Sequence, residues 1–118
     1  MEKKDLKERT KKFALKVIKV VEMLPRGRIA DILGRQLLRS GTSVGANYRS
    51  ACRARSTADF ISKMGVVEEE ADETIYWMEL LIEAGLVRKD ALIHLFDEAN
   101  QILAITVSSI KTARKRKK

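Results

Sequence analysis

The sequence predicts an all-α fold, an antiparallel up-down-up-down four-helix bundle, from three observations. One proline and six glycines punctuate 118 residues, too few breakers for the many turns of a sheet. Apolar residues recur at intervals of three and four over four long stretches, the period of a helix with one buried face. The links between those stretches are short, so each helix must turn back along its neighbour. Hydrophobic residues make up 45% of the chain and aromatics only 5%, which suffices for one domain with an aliphatic core.

The first helix is expected from about Lys4 to Leu24. Leu6, Thr10, Phe13, Val17, Val20 and Leu24 form its seam, widened by Ala14 and Val21. Pro25 stops it, because proline disfavours the α region at the residue before it and lacks an N–H. The second helix starts near Ile29 and carries Leu33, Leu37, Val44, Tyr48 and Ala51 to about Arg53. Gly41 and Gly45 interrupt it at a cost of about 1 kcal/mol each relative to alanine. Close approach of a neighbouring helix is the return expected for that cost. A break near Gly41 is the competing reading, and the phase of the seam across the glycines favours one continuous helix.

Ser56-Thr57-Ala58-Asp59 has the spacing of a helix start, with Ser56 as cap and Asp59 at the positive end of the dipole. The third helix follows on Phe60, Met64, Val67, Ala71, Thr74, Met78 and Leu81. A second row, Ile61, Glu68, Ile75 and Ile82, makes its face wider than a two-stranded coil needs. Gly85 ends the helix, with Leu86 placed to fold back on Leu81 in a Schellman cap. Asp90 is the expected cap of the fourth helix, which runs from about Ala91 on Leu92, Leu95, Ala99, Ile102, Thr106 and Ala113, broadened by Phe96, Leu103 and Ile110. Beyond Ala113 only bases follow. The chain therefore divides into a bundle over 1–113 and a basic tail over 114–118, which is expected to fray.

Net charge is +8, unevenly distributed. Arginines crowd the second helix and its flanks, and a second excess closes the chain. Between them Asp59 to Glu83 holds eight acidic residues against the single base Lys63. Such asymmetry can steer nucleic acid or zip one helix or subunit to another. Cys52 is alone, so no intrachain disulfide forms, and a small packing residue is the reading favoured over a nucleophile. No apolar run approaches the ~20 residues that span a bilayer. The opening MEKKDLKERTKK does not read as a secretory signal. A cytoplasmic location and no membrane partner are expected.

No catalytic constellation stands out: no paired general acid and base, no phosphate-cradling glycine loop, no nucleophile beside an activating base. The chain is expected to be no enzyme and to need no cofactor. Glu68-Glu69-Glu70 with Asp72 and Glu73 invites a metal, but bundle di-metal sites need Glu-x-x-His, and the only histidine is His94 on another helix. Those acids are expected instead to meet Arg49, Arg53 and their neighbours across a helix or subunit boundary. Asn47, on the apolar seam, must find partners or cost roughly 1–3 kcal/mol; Glu68 or Glu70 is the expected partner. Trp77 reads as a core or interface anchor rather than a base-stacking platform. Tyr76, Trp77 and Leu80 lie beside the seam, where an exposed aromatic patch would favour self-association, and Phe60, on the seam itself, counts with Tyr76 and Trp77 among the structural or interface residues.

The stretches Ser43-Val44-Gly45-Ala46-Asn47, Ala58-Asp59-Phe60-Ile61-Ser62-Lys63 and Glu70-Ala71-Asp72-Glu73-Thr74-Ile75-Tyr76-Trp77 are recognisable together. They resemble the signature of a bacterial four-helix-bundle family related to proteins encoded by intervening sequences in large-subunit ribosomal RNA genes. The resemblance covers about Phe13 to Leu103. It implies an antiparallel bundle and assembly as a homopentameric ring. A distant relative, the accessory protein of diversity-generating retroelements, forms a basic pentameric barrel that associates with a reverse transcriptase and nucleic acid.

The expected function is therefore an oligomeric protein that binds RNA or DNA phosphates through basic surfaces. The candidate contacts are Arg35 and Arg39 of the second helix, Lys111, and the tail Arg114, Lys115, Arg116, Lys117 and Lys118. Polycationic tails bind phosphates by counterion release without reading sequence, and a ring would gather several tails on one rim. A merely solubilising tail is the plainer reading. The alternative function is a scaffold ring that docks a protein partner such as a reverse transcriptase.

Overall fold

Helices α1 (Lys3–Glu22), α2 (Arg28–Cys52), α3 (Thr57–Glu83) and α4 (Lys89–Arg116) follow one another with no strand among the described residues. The computed structural model describes residues 3–116, and side chains from Asp5. The molecule measures 50 × 21 × 21 Å. A helix of 28 residues rises about 42 Å at ~1.5 Å per residue, so the helices lie along the long axis. Consecutive helices pack on each other, most extensively α2 with α3, and α1 meets α4 over a shorter stretch.

The core is built as the seams require. Phe13, Val17, Leu37, Val44, Met64, Val67, Met78, Leu81, Leu92 and Ile102 are fully buried. Each buried leucine-sized side chain contributes about 1.5–3 kcal/mol of hydrophobic stabilisation. The seam of α2 differs from the expected one at its start. Ile29 is 56% exposed, and Ala30, Gly34, Leu37, Gly41, Val44, Tyr48 and Ala51 face inward. Small residues carry that inner line because α1 lies close. A Cβ on Gly41 would stand 2.8 Å from both Val17 methyl carbons, and one on Gly45 would stand 3.2 Å from Thr10 Oγ1. The helix runs unbroken across both glycines.

Helix ends follow local chemistry. α1 stops at Glu22, and Leu24 N–H donates back to the Val21 carbonyl at 3.2 Å before Pro25 breaks the ladder. Ser56 caps α3, its hydroxyl accepting from Asp59 N–H at 3.0 Å, and Asp59 accepts from Arg55 N–H at 3.2 Å. At the far end Gly85 takes φ +75°, a value that favours glycine. Gly85 N–H donates to Ile82 O and Leu86 N–H to Leu81 O, both at 3.0 Å, which is the paired bonding of a Schellman motif.

Two expectations at α4 are corrected. Asp90 is not a cap, since the helix already begins at Lys89, and Asp90 lies in its first turn, exposed, 3.4 Å from Arg88 Nε. Nor is the expected fraying after Ala113 seen among the described residues. Arg114, Lys115 and Arg116 continue α4, where cations sit favourably beside the carbonyl end of the dipole. Lys117 and Lys118 lie outside the described residues.

Candidate nucleic-acid interface

Where α2 ends, α3 begins and α4 completes its last turns, the surface opens into a groove of about 920 Å³. Leu6 of α1, Phe60 of α3 and Ile105 of α4 give it an apolar floor, with Tyr48 and Ala51 of α2 beside them. Arg55 and Arg116 supply its charge, and Ser56, Thr57, Ser108, Ser109 and Thr112 supply hydroxyls. No carboxylate stands among its described lining residues. The nearest in sequence, Asp59, is occupied: its Oδ2 accepts from Lys63 Nζ at 3.0 Å and from Arg55 N–H. Those bonds hold its carboxyl below the usual range.

The hydroxyls here differ from those in the core. Buried Thr10 and Thr106 and half-buried Thr42 donate to carbonyls of their own helices at 2.7–2.9 Å. Ser108, Ser109 and Thr112 have no such bond among the described residues, so their hydrogen-bonding capacity remains available to a ligand. Tyr48 is 4% exposed, and burial, with Cys52 beside it, pushes its phenol well above the usual range. It stays neutral and serves as wall. Cys52 is a half-buried free thiol in the same lining.

The expected contacts divide. Lys111, Arg114, Lys115 and Arg116 are exposed on the last turns of α4, and Arg116 reaches the groove. Arg49 and Arg53 are also exposed near this end and make no ion pair among the described residues. The expectation that they meet the acidic run is therefore not met within the chain. Arg39 takes that role. Its Nη1 donates to Glu70 Oε1 at 3.2 Å and its Nη2 bonds Glu73. Arg39 is thus ion-paired within the chain, with its side chain 46% exposed. Arg35 is exposed and stands on α2 away from the groove lining.

Asn47 is corrected too. Its Nδ2 donates to Ser43 O of its own helix at 2.8 Å, and neither Glu68 nor Glu70 is its partner. The seam angle leaves Asn47 half-buried rather than enclosed, so the helix carbonyl is within reach and suffices. Glu68 is half-buried on α3. Trp77 packs half-buried against the core and its Nε1 donates to Glu73 Oε1 at 3.4 Å. Tyr76, 50% exposed, meets Trp77 edge-on with ring centroids 5.1 Å apart. Sequence reasoning left out Arg55 and the groove hydroxyls. The signal available was Arg55-Ser56-Thr57 beside the cap, matched by Ser108-Ser109 and Thr112 at helical spacing on α4.

Among the described residues no three of His, Cys, Asp and Glu gather closely enough to hold a metal ion. No described helix is long and apolar enough to cross a membrane. What the fold and surface define is a small all-α bundle of four helices with a basic, hydroxyl-lined end. The profile of the 23S rRNA-intervening sequence protein family matches residues 2–108, and the chain belongs to that family. The chain is also similar to a crystal structure from Bacteroides thetaiotaomicron, a protein with unknown function from the S23 ribosomal protein family. The two are 34% identical with a TM-score of 0.87, over 94% of this chain and 99% of that one. Comparison with curated proteins found no match.

Proposed function

We propose that this protein is a non-enzymatic, oligomeric, antiparallel four-helix bundle of the cytoplasm that binds the phosphates of RNA or DNA through its basic end. The observation that carries the reading is the groove between Arg55 and Arg116, with no carboxylate among its described lining residues, flanked by the exposed cations of α4 and by Arg49 and Arg53. Arg49, Arg53 and Arg116 make no ion pair among the described residues, which leaves their charge available to phosphate, and counterion release supplies the binding free energy.

The up-down course is supported by the packing of α2 on α1. Gly34 faces Leu24, Gly41 faces Val17 and Gly45 faces Thr10, so numbers rise along one helix as they fall along the other. A homopentameric ring has support in how exposed apolar residues divide. Leu15, Ile18, Ile29 and Ile32 lie among the cations of α1 and α2, whereas Val66 and Tyr76 lie on the acidic α3 and Ile93 on the first turns of α4 near Asp90 and Asp97. Two different complementary faces suit a head-to-tail contact, which makes a ring when the rotation between copies closes.

A titration of binding against salt tests the phosphate reading. Engaging about five phosphates should give a log–log slope near −4.5 on duplex DNA. A flat dependence, or no binding at low salt, overturns it. The second reading, a scaffold docking a partner enzyme, draws on the α3–α4 groove, where Ile82, Ile93 and Phe96 lie beside Glu79, Glu83 and Asp97. Deleting Arg114 to Lys118 separates the two. Loss of nucleic acid with an intact assembly favours the first, and loss of partner capture alone favours the second.

A further inference from the structure

We propose that the groove at the α2–α3 turn is a site for unpaired nucleic acid, taking a nucleotide of a single strand with its phosphate on Arg55 and Arg116 and its base against the apolar floor. The inference rests on the phosphate reading and narrows its ligand. A purely electrostatic grip on a duplex needs only convex positive surface, because the phosphates of a duplex face outward. This groove is concave, and its volume of about 920 Å³ is that of a small-molecule cleft. A nucleotide with an unpaired base fits a space of that size, and a paired base inside a double helix has no way in.

The lining matches the three parts of such a ligand. Phe60 and Ile105 give a base an apolar surface, and stacking on an aromatic ring such as that of Phe60 tolerates any sequence because every base has a π-face. Arg55 on the turn and Arg116 on the last turn of α4 approach from two elements, which suits phosphate recognition by guanidinium forks. Ser108, Ser109 and Thr112 offer hydroxyls with no partner among the described residues, able to bond sugar and phosphate oxygens. Thr57 adds the positive end of α3, a helix of 27 residues, to the same side.

The test measures anisotropy of a labelled oligouridine, a labelled oligothymidine and a labelled duplex on the full chain at fixed low salt. Ala104 lines the groove and is exposed, so Ala104→Phe fills the groove without entering the core. This variant, and independently Arg55→Gln, should weaken both single strands roughly tenfold or more, the scale of one lost stacked base. Duplex affinity should fall much less with Ala104→Phe. Circular dichroism and native mass check that each variant folds and assembles as the parent does. If Ala104→Phe and Arg55→Gln both leave the single strands bound as tightly as before, the groove is not the site, although the basic end still binds. Equal loss on single strand and duplex also overturns the inference. If the parent binds none of the probes, the phosphate reading itself falls, and the two failures are thereby told apart.

Discussion

The hydroxyls of Ser40 on α2 and Thr74 on α3 meet at 3.0 Å, with both side chains fully buried. Thr74 Oγ1 also lies 2.7 Å from Glu70 O, and Ser40 Oγ lies 3.3 Å from Leu37 O. With one proton each, the two hydroxyls can make two of these three contacts at a time: Ser40 can donate to Thr74 Oγ1 while Thr74 donates to Glu70 O, and no buried polar side-chain atom among the described residues is left unsatisfied. A small polar pair at this depth fixes the register of α2 on α3, because sliding either helix would strand a hydroxyl in the core.

Thr74→Val is expected to lower stability by about 1 kcal/mol, the usual net worth of a neutral hydrogen bond. Ser40→Ala should cost a similar amount. The double variant should cost less than the two together, because neither leaves the other an unpaired oxygen. Urea melts of the four proteins in a double-mutant cycle measure the coupling. Strict additivity would show that the hydroxyls are satisfied within their own helices and do not act as a pair.

Arg9 and Glu98 clamp α1 to α4, the pair of neighbouring helices with the least backbone contact. Arg9 Nε donates to Glu98 Oε2 at 2.9 Å and Nη2 to Oε1 at 2.6 Å, with Gln101 Oε1 a further acceptor at 2.9 Å. The Arg9 guanidinium beside it holds the Glu98 carboxyl below its ordinary 4.5, against the opposing pull of burial. A carboxyl whose folded value is depressed stabilises the fold above its unfolded value, and that contribution fades as pH falls through the folded value. Stability should thus decline on acidification below about pH 4.5. Arg9→Met keeps the aliphatic packing and should cost about 1–2 kcal/mol at pH 7 for a half-shielded charged pair. The difference from the parent should shrink as pH drops below the carboxylate range, measured by melts at several pH values. A difference that is the same at low and neutral pH would remove the ion pair from the account.

Much of this architecture was legible because its determinants are local or periodic. Ser56, Gly85 and Pro25 mark helix boundaries through short-range chemistry, and Met64 to Leu81 repeat with the period of a buried face. What escaped reading depended on partners distant in the chain. Ala30 and Gly34 carry the inner line of α2, yet as small residues they are invisible to a hydrophobic pattern. They are buried because α1 comes close, as Leu24 does to Gly34. Arg39, rather than Arg49 or Arg53, reaches Glu70 and Glu73, since the choice among arginines on one helix is set by rotation and register. The groove joins residues from Leu6 to Arg116, a juxtaposition no local pattern encodes.

The close approach of α1 and α2 predicts opposite outcomes for two glycine substitutions. A Cβ at Gly41 would meet the branched Val17 side chain at 2.8 Å, whereas one at Gly65 meets nothing within 4 Å. Val17 is fully buried and stiff at χ1, so it has nowhere to turn. Gly41→Ala should therefore destabilise by about 1–3 kcal/mol despite alanine's helix propensity. Gly65→Ala should stabilise by roughly 0.5–1 kcal/mol from propensity alone. Thermal or urea melts decide, and a stabilised Gly41→Ala would mean that the helices are not held at this distance.

The ion pairing of Arg39 separates structural arginines from phosphate-binding ones. Tied to Glu70 and Glu73 with its side chain 46% exposed, Arg39 has two carboxylates that compete with a polyanion for its charge. Arg39→Ala should leave the salt slope of nucleic-acid binding unchanged and alter stability by no more than about 1 kcal/mol, the range for exposed pairs. Arg116→Ala, at the groove and without a carboxylate partner among the described residues, should reduce the slope by about 1, one phosphate contact's worth. Both are read from the same titration across salt concentrations. If Arg39→Ala lowers the slope as much as Arg116→Ala does, the polyanion competes successfully with Glu70 and Glu73, and the interface extends along α2 beyond the basic end.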